Sequence, residues 1–155
     1  MKSVFFYDYP VGWIGIAEDN GVISRVGFRD NSKKDFNGYA AAETPLIKKA
    51  AAQLAEYFTG KRTKFDLPLA PVGTEFQLSV WRALQTIPFA ETRSYGDIAA
   101  LIGNPKACRA VGMANNRNPI AIIIPCHRVI GRDGSLTGYG GGLDVKQYLL
   151  DLEKR

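Results

Sequence analysis

The 155-residue chain predicts an α+β fold in two unlike parts. Residues 1–72 should form a small antiparallel sheet with one helix, and residues 73–155 an α-helical domain. Three observations predict this. Before residue 29, three short runs rich in β-branched and aromatic residues are separated by turn residues. From Thr44 onward, apolar residues recur at helical spacing behind capping residues. After Ser94, two short helical stretches follow one another across a single glycine turn.

The N-terminal strands are expected at Val4 to Tyr9, Trp13 to Glu18 and Val22 to Phe28. Asn20-Gly21 joins the last two with the residues a type I′ turn demands. Asp30 to Asn37 reads as a polar loop. Thr44 then caps a helix with Pro45 in its first position. Leu46, Ala50, Leu54, Tyr57 and Phe58 supply its apolar face, and Gly60 ends it. No chemistry is visible in this part, and its aromatic residues read as core.

Gly73-Thr74 opens the C-terminal part, where Thr74 and Gln77 make a capping box. Phe76, Val80, Trp81, Leu84 and Ile87 form the buried stripe of that helix, with Trp81 as a core anchor. Ser94 and Asp97 cap a second helix that closes at Gly103. Asn104-Pro105 restarts the chain as a third helix, through Asn115. Two short helices across a tight turn are a helix-turn-helix pattern. Val129-Ile130 and Ser135 to Thr137, around Gly131 to Gly134, should form a wing hairpin with Arg132 at its tip. Leu143 to Glu153 closes the chain as a helix.

The totals bound the function. No apolar run approaches the roughly 20 residues of a membrane helix, and the N-terminus lacks the apolar region of a signal peptide. Two cysteines make no disulfide framework, so a reducing cytoplasm is expected. One histidine and two cysteines offer no standard zinc spacing, and neither metal nor cofactor is expected. The formal net charge is +5. From Ile98 to Arg132 there is no Asp or Glu, while Lys106, Arg109, Arg117, Arg128 and Arg132 fall within that stretch. A surface of one sign points to a polyanion, with nucleic acid first.

The third helix is an unusual reader of DNA. Ala107, Ala110, Gly112 and Ala114 are small, and no side chain stands at base-reading spacing except Arg109. A smooth helix with one long cation fits backbone-dominated binding in the minor groove, with Arg109 inserted. The first turns at Tyr95-Gly96 and at Asn104 offer backbone N–H groups to phosphates.

The chemistry concentrates in Ile122 to Ile130, Ile-Ile-Ile-Pro-Cys-His-Arg-Val-Ile. Cys126 stands beside the only histidine of the chain, His127. A thiol next to a lone general base reads as an activated nucleophile, with a buried, inert cysteine as the alternative on adjacency alone. The apolar run should be a strand, in which neighbouring side chains point apart. Thiol and imidazole then meet only if Pro125 turns the chain or a water bridges them. Arg128 adds positive charge beside the sulfur. A carboxylate should orient the imidazole, and Glu153 is the best placed. Asn118 could bond the backbone near Cys126. Gly138-Tyr139-Gly140-Gly141-Gly142 makes an open wall on which a planar ligand could stack.

The stretch from Asn118-Pro119 to Pro125-Cys126-His127-Arg128-Val129 resembles the active-site signature of the O6-alkylguanine-DNA alkyltransferases. The resemblance extends through Ser94-Tyr95, Asn104-Pro105-Lys106, Arg109-Ala110-Val111-Gly112, Gly138-Tyr139 and Gly141-Gly142-Leu143. It implies an N-terminal sheet domain joined to a C-terminal winged helix-turn-helix, and a partner, double-stranded DNA carrying O6-alkylguanine. It implies that Cys126 takes the alkyl group irreversibly, so that each molecule acts once. His127, through a bridging water and held by Glu153, would deprotonate the thiol, and Asn118 would hold the turn. Arg109 would fill the gap left by the flipped base. Tyr95 would push its phosphate and protonate the departing guanine. Gly96, Asn104, Ala110 and Arg132 would line the DNA, and Tyr139 and Gly140 the pocket. A monomer is expected. Gly140 stands where many relatives carry Ser, the zinc site of some relatives is absent, and Cys108 reads as a small filler. Two other classes compete: a DNA-binding protein without chemistry, and a cysteine hydrolase.

Overall fold

A computed structural model of the chain describes residues 1–29 and 36–155, so most of the loop expected over Asp30–Asn37 lies outside the described residues. The chain divides into two compact units, Met1–Pro71 and Val72–Arg155.

In the first unit, β1 (Lys2–Tyr9), β2 (Gly12–Asp19) and β3 (Val22–Phe28) form an antiparallel meander. The turn between β2 and β3 has positive φ at both Asn20 and Gly21 (52° and 90°), as a type I′ turn requires. A short β4 (Ala40–Ala41), not foreseen from sequence, adds to β1 in parallel, giving the order β3-β2-β1-β4. Two residues give no periodicity, which is why the sequence hides it. Helix α1 (Pro45–Phe58) is capped by the Thr44 hydroxyl, which accepts from the Ile47 N–H. Ile47, Ala50, Leu54 and Tyr57 are its deepest apolar residues, whereas Leu46, expected in the stripe, is only half-buried. Ile14, Ile16, Ile23 and Val26 are among the most deeply buried residues of β2 and β3. Val4, Ala17 and Phe36 form a separate cluster with Phe6 and Tyr39. Phe36 is therefore core, although it stands at the end of a polar run.

The second unit starts with α2 (Glu75–Leu84), capped by the Thr74–Gln77 box. Trp81 is 2% exposed, and its indole N–H donates to the Ala114 carbonyl at 2.9 Å, tying α2 to a later helix. Buried indole with a satisfied N–H is the ordinary state of a core tryptophan. After β5 (Arg93–Ser94), α3 (Tyr95–Leu101) begins on the Ser94–Asp97 box. Gly103, at φ 80°, closes it: Asn104 N–H reaches back to Ala99 O and Gly103 N–H to Ala100 O. That closure corrects one expectation. Asn104 does not cap the next helix. It occupies the end of the previous one, Ala107 N–H bonds to Asn104 O in an intervening turn, and α4 runs Cys108–Asn116 without a side-chain cap.

The wing is also reduced. Strand β6 (Val129–Ile130) pairs in parallel with β5, and residues 135–137 form no strand. A turn closed by Gly131 N–H to Ser135 O, at 2.8 Å, takes the hairpin's place. Helix α5 (Leu143–Glu153) ends the unit. Among the described residues no helix is long and apolar enough to cross a membrane.

Candidate active site

Residues 119–129 are buried without interruption, and up to Arg128 they run through turns and form no continuous strand. Ile122 sits at φ 70°, and the Ile123 N–H reaches Ala121 O at 2.8 Å, a γ-turn of the left-handed kind that is rare and strained. Pro125, at φ −81° and ψ 64°, makes the mirror-image γ-turn, with Cys126 N–H on Ile124 O at 2.8 Å. Cys126–Arg128 then form a 3₁₀ turn before β6. The apolar run misled because continuous hydrophobicity reports burial, and burial alone does not separate a strand from a packed irregular turn.

Asn118 holds this backbone at two points. Its amide donates to Ile124 O at 2.7 Å, and its carbonyl oxygen accepts from Ile120 N–H at 3.0 Å. Asn115, on α4, adds a bond from its amide to Cys126 O at 3.3 Å.

Cys126 is 5% exposed, and burial pushes its thiol above the ordinary value, while an Asn118 hydrogen bond and the Lys146 charge pull the other way. Burial pushes His127 below its ordinary value, outweighing the pull of Glu153. Thiol and imidazole therefore rest as a neutral pair. His127 Nε2 lies 2.6 Å from Glu153 Oε2, while its Nδ1 is buried without a hydrogen-bond partner among the described residues. Glu153 also accepts from Arg128, Nε to Oε1 at 2.8 Å and Nη2 to Oε2 at 3.1 Å, and from the Ala90 N–H at 3.2 Å. A guanidinium bonded to both oxygens favours the ionised carboxylate, which places the shared proton on Nε2. Nδ1 is left with its lone pair.

Arg128 thus does not act on the sulfur as the sequence suggested. Its guanidinium is committed to Glu153 and, through Nη1, to Ile87 O at 2.8 Å. The cation that acts on the thiol is Lys146 of α5, which sequence reasoning missed. Lys146 is 0% exposed and donates to Val129 O at 2.7 Å and Thr137 O at 2.9 Å. A fully buried lysine is rare enough to be informative, but in sequence it reads as one more polar residue of an amphipathic helix.

Tyr95, at the start of α3, shares a hydrogen bond of 2.8 Å with the Thr137 hydroxyl. Arg132 is exposed and leans over Gly96, so near that a Cβ there would meet its guanidinium at 3.3 Å. The tip residue of the expected wing therefore joins the start of α3. On α4, Val111, Ala114 and Asn115 face the core. Arg109, Ala110 and Met113 are exposed on the far side, and Asn104 is exposed before it. Tyr139 is half-buried and Gly140 exposed. No group of His, Cys, Asp and Glu among the described residues is arranged to hold a metal ion.

Comparisons with known proteins bear on this arrangement. A family model described as the DNA binding domain of 6-O-methylguanine DNA methyltransferase matches residues 75–155, and one described as its ribonuclease-like domain matches residues 5–71. The chain belongs to the 6-O-methylguanine DNA methyltransferase family. The methylated-DNA–protein-cysteine methyltransferase of Methanosarcina acetivorans is 53% identical over 148 residues, covering 95% of each chain. The solved O6-methylguanine methyltransferase of Mycobacterium tuberculosis matches with a TM-score of 0.93 at 46% identity, over 99% of this chain and 93% of that one. A structure of the Mycobacterium tuberculosis protein in complex with DNA matches with a TM-score of 0.91 at 47% identity, over 98% and 92% of the two chains.

Family membership makes this an alkyl-transfer DNA-repair protein with DNA as its partner. In the methyltransferase fold of this chain, Cys126, His127, Glu153 and Asn118 come together around one buried turn. Tyr95, Gly96 and Arg132 gather at the start of α3, and Arg109 and Ala110 stand on the exposed side of α4.

Proposed function

We propose that this chain takes the alkyl group from O6 of guanine in double-stranded DNA onto Sγ of Cys126, once per molecule and irreversibly. The observation that carries the reading is the Glu153–His127 pair beside Cys126, with Nδ1 buried and holding its lone pair.

The exposed side of α4 enters the minor groove, where its small residues let the helix approach closely. Arg109 takes the space of the damaged base as that base leaves the stack. Tyr95 and Gly96, with Arg132 and Asn104, meet the phosphates, and the base lies against Tyr139 and Gly140. A water relays the thiol proton to His127 Nδ1, and the imidazolium is stabilised by Glu153. Lys146 steadies the thiolate as it forms. The thiolate attacks the alkyl carbon, the S–C bond forms as the C–O6 bond breaks, and the guanine leaves with a proton supplied by Tyr95. A thioether has no leaving group that would restore the thiol, so turnover stops at one. The protein works as a monomer, and two free cysteines fit a reducing cytoplasm.

The test is intact mass after mixing with an equimolar duplex that carries one O6-methylguanine. A gain of one methyl group, mapped to Cys126 and absent in Cys126→Ser, is the expected result. Tight binding of the duplex without mass gain would replace this reading with a DNA-binding protein without chemistry.

A further inference from the structure

The neutral base needs an explanation that the acceptor reading does not give. A buried imidazole against a buried carboxylate would ordinarily draw in a proton, because the carboxylate's charge is otherwise uncompensated. Here the compensation is already in place. Arg128 is buried, spans both oxygens of Glu153, and is fixed from behind by Ile87 O and by the Phe89 ring, 5.8 Å from its centroid. We propose that Arg128 is a positioning residue of the acceptor site: by occupying Glu153 it makes His127 the donor at Nε2 and keeps the Nδ1 lone pair for the Cys126 proton.

The ionisable groups that face His127 are few. Glu153 and Lys146 come from α5, and Arg128 and Cys126 from its own turn. The buried residues of α2, which also packs on the turn, are Val80, Trp81, Ala83 and Leu84, none of them ionisable. Of the two cations, Arg128 bonds both oxygens of Glu153, and Lys146 is bonded to backbone carbonyls. Removing the guanidinium takes away the cation bonded to both oxygens of Glu153, and the imidazole should then hold a second proton, on Nδ1. A base in that state cannot accept from the thiol. Lysine is a poor replacement, because one ammonium cannot bridge two carboxylate oxygens and reach Ile87 O with fork geometry.

The proposal rests on the acceptor reading, but its test need not. His127 is the only histidine in the chain, so its ¹⁵N imidazole resonances are unambiguous. In the wild type they should report Nε2–H with unprotonated Nδ1 at neutral pH. In Arg128→Lys, and more so in Arg128→Met, the imidazolium should persist to a pH higher by about one unit or more. Single-turnover transfer from an O6-methylguanine duplex at pH 7 should fall about tenfold or more, with recovery as pH rises. Arg128→Met combined with Glu153→Gln removes both charges and should return His127 to the neutral form. That double variant, with Arg128→Lys, decides the matter if Arg128→Met does not fold. A folded Arg128→Lys protein whose His127 titration and rate–pH profile match the wild type would overturn the proposal. So would a double variant whose imidazole stays protonated as in Arg128→Met. A wild type that accepts no methyl group would sink the acceptor reading instead, and the imidazole spectra would still judge Arg128.

Discussion

Arg109 and Arg128 are the same residue in opposite circumstances. Arg109 stands exposed on α4, among small neighbours. Arg128 is buried and bonded to a carboxylate and a carbonyl. In the sequence both contribute to one acid-free stretch. In the structure only the first belongs to a surface that an anion can reach, and the second is part of the machinery around the thiol. A charge count along a chain sums over burial, so it points to a polyanion but not to the cations that meet it.

The comparison can be tested from both sides, beginning with the buried turn. Cys126→Ser should lose methyl transfer completely, with no mass gain at any time of incubation, while binding to the lesion duplex by gel shift persists. Glu153→Gln removes the partner of a buried guanidinium. It should destabilise the protein by about 3–5 kcal/mol, read as a lowered urea midpoint, because breaking a buried pair strands the other charge. A midpoint within error of wild type would mean that Arg128 is less enclosed than its contacts imply.

The exposed arginine should behave differently. Arg109→Ala should change the stability read from urea unfolding by no more than about 0.5 kcal/mol. It should slow transfer from duplex DNA by roughly tenfold, since an inserted side chain offsets unstacking that costs a few kcal/mol. Transfer from free O6-methylguanine base should be unchanged. If both substrates slow equally, Arg109 acts on the site rather than on the stack.

Acid should also distinguish the turn from the surface. Burial lowers His127 below its ordinary 6.5, so between those two values the unfolded chain binds a proton that the folded chain does not. Stability should therefore fall as pH drops below about 6.5, by up to about 1.4 kcal/mol per unit. Urea titrations at pH 7.5, 6.5 and 5.5 would show it, and His127→Gln should flatten the slope. The smallest effect is expected at the start of α3. Arg132→Ala should weaken duplex binding severalfold and reduce the slope of log affinity against log salt by about one, as for one lost phosphate contact.

How much of this was readable depends on which physics left a periodic trace. The two capping boxes, the Thr44 and Pro45 start and the Asn20-Gly21 turn follow from local rules and appear where the sequence puts them, and so do Val80, Trp81 and Leu84 of the buried face of α2, whereas Phe76 is only half-buried and Ile87 lies past the helix end. Cys126, His127, Asn118 and Glu153 are brought together, although the last lies 25 residues beyond Arg128 in the chain. The failures share a cause. Asn104 has the residue type of a cap, but the Gly103 closure had already engaged its N–H. The Ile122–Ile124 run looks like a strand because all three residues are buried, and its turns come from bonds made by Asn118 and by the backbone itself. Lys146 gives no signal, because its burial depends on Val129 and Thr137, which lie far from it in the chain. Long-range pairing of this kind has no local pattern to read.

Ile122 carries a consequence for how this protein can change. Its backbone, at φ 70°, is one that glycine adopts freely and a β-branched residue adopts at a cost of about 1–3 kcal/mol. Its side chain is 1% exposed and fills core that glycine would leave empty. Relief of one demand worsens the other, so no substitution at this position is silent. Glycine would relax the turn and open a cavity, while valine or leucine would keep the strain and alter the packing. In a library of single variants, position 122 should therefore tolerate fewer replacements than Ile120 or Ile124, which are as deeply buried but are not among the positive-φ residues. Three isoleucines that look interchangeable in the sequence would then differ in how freely they can vary.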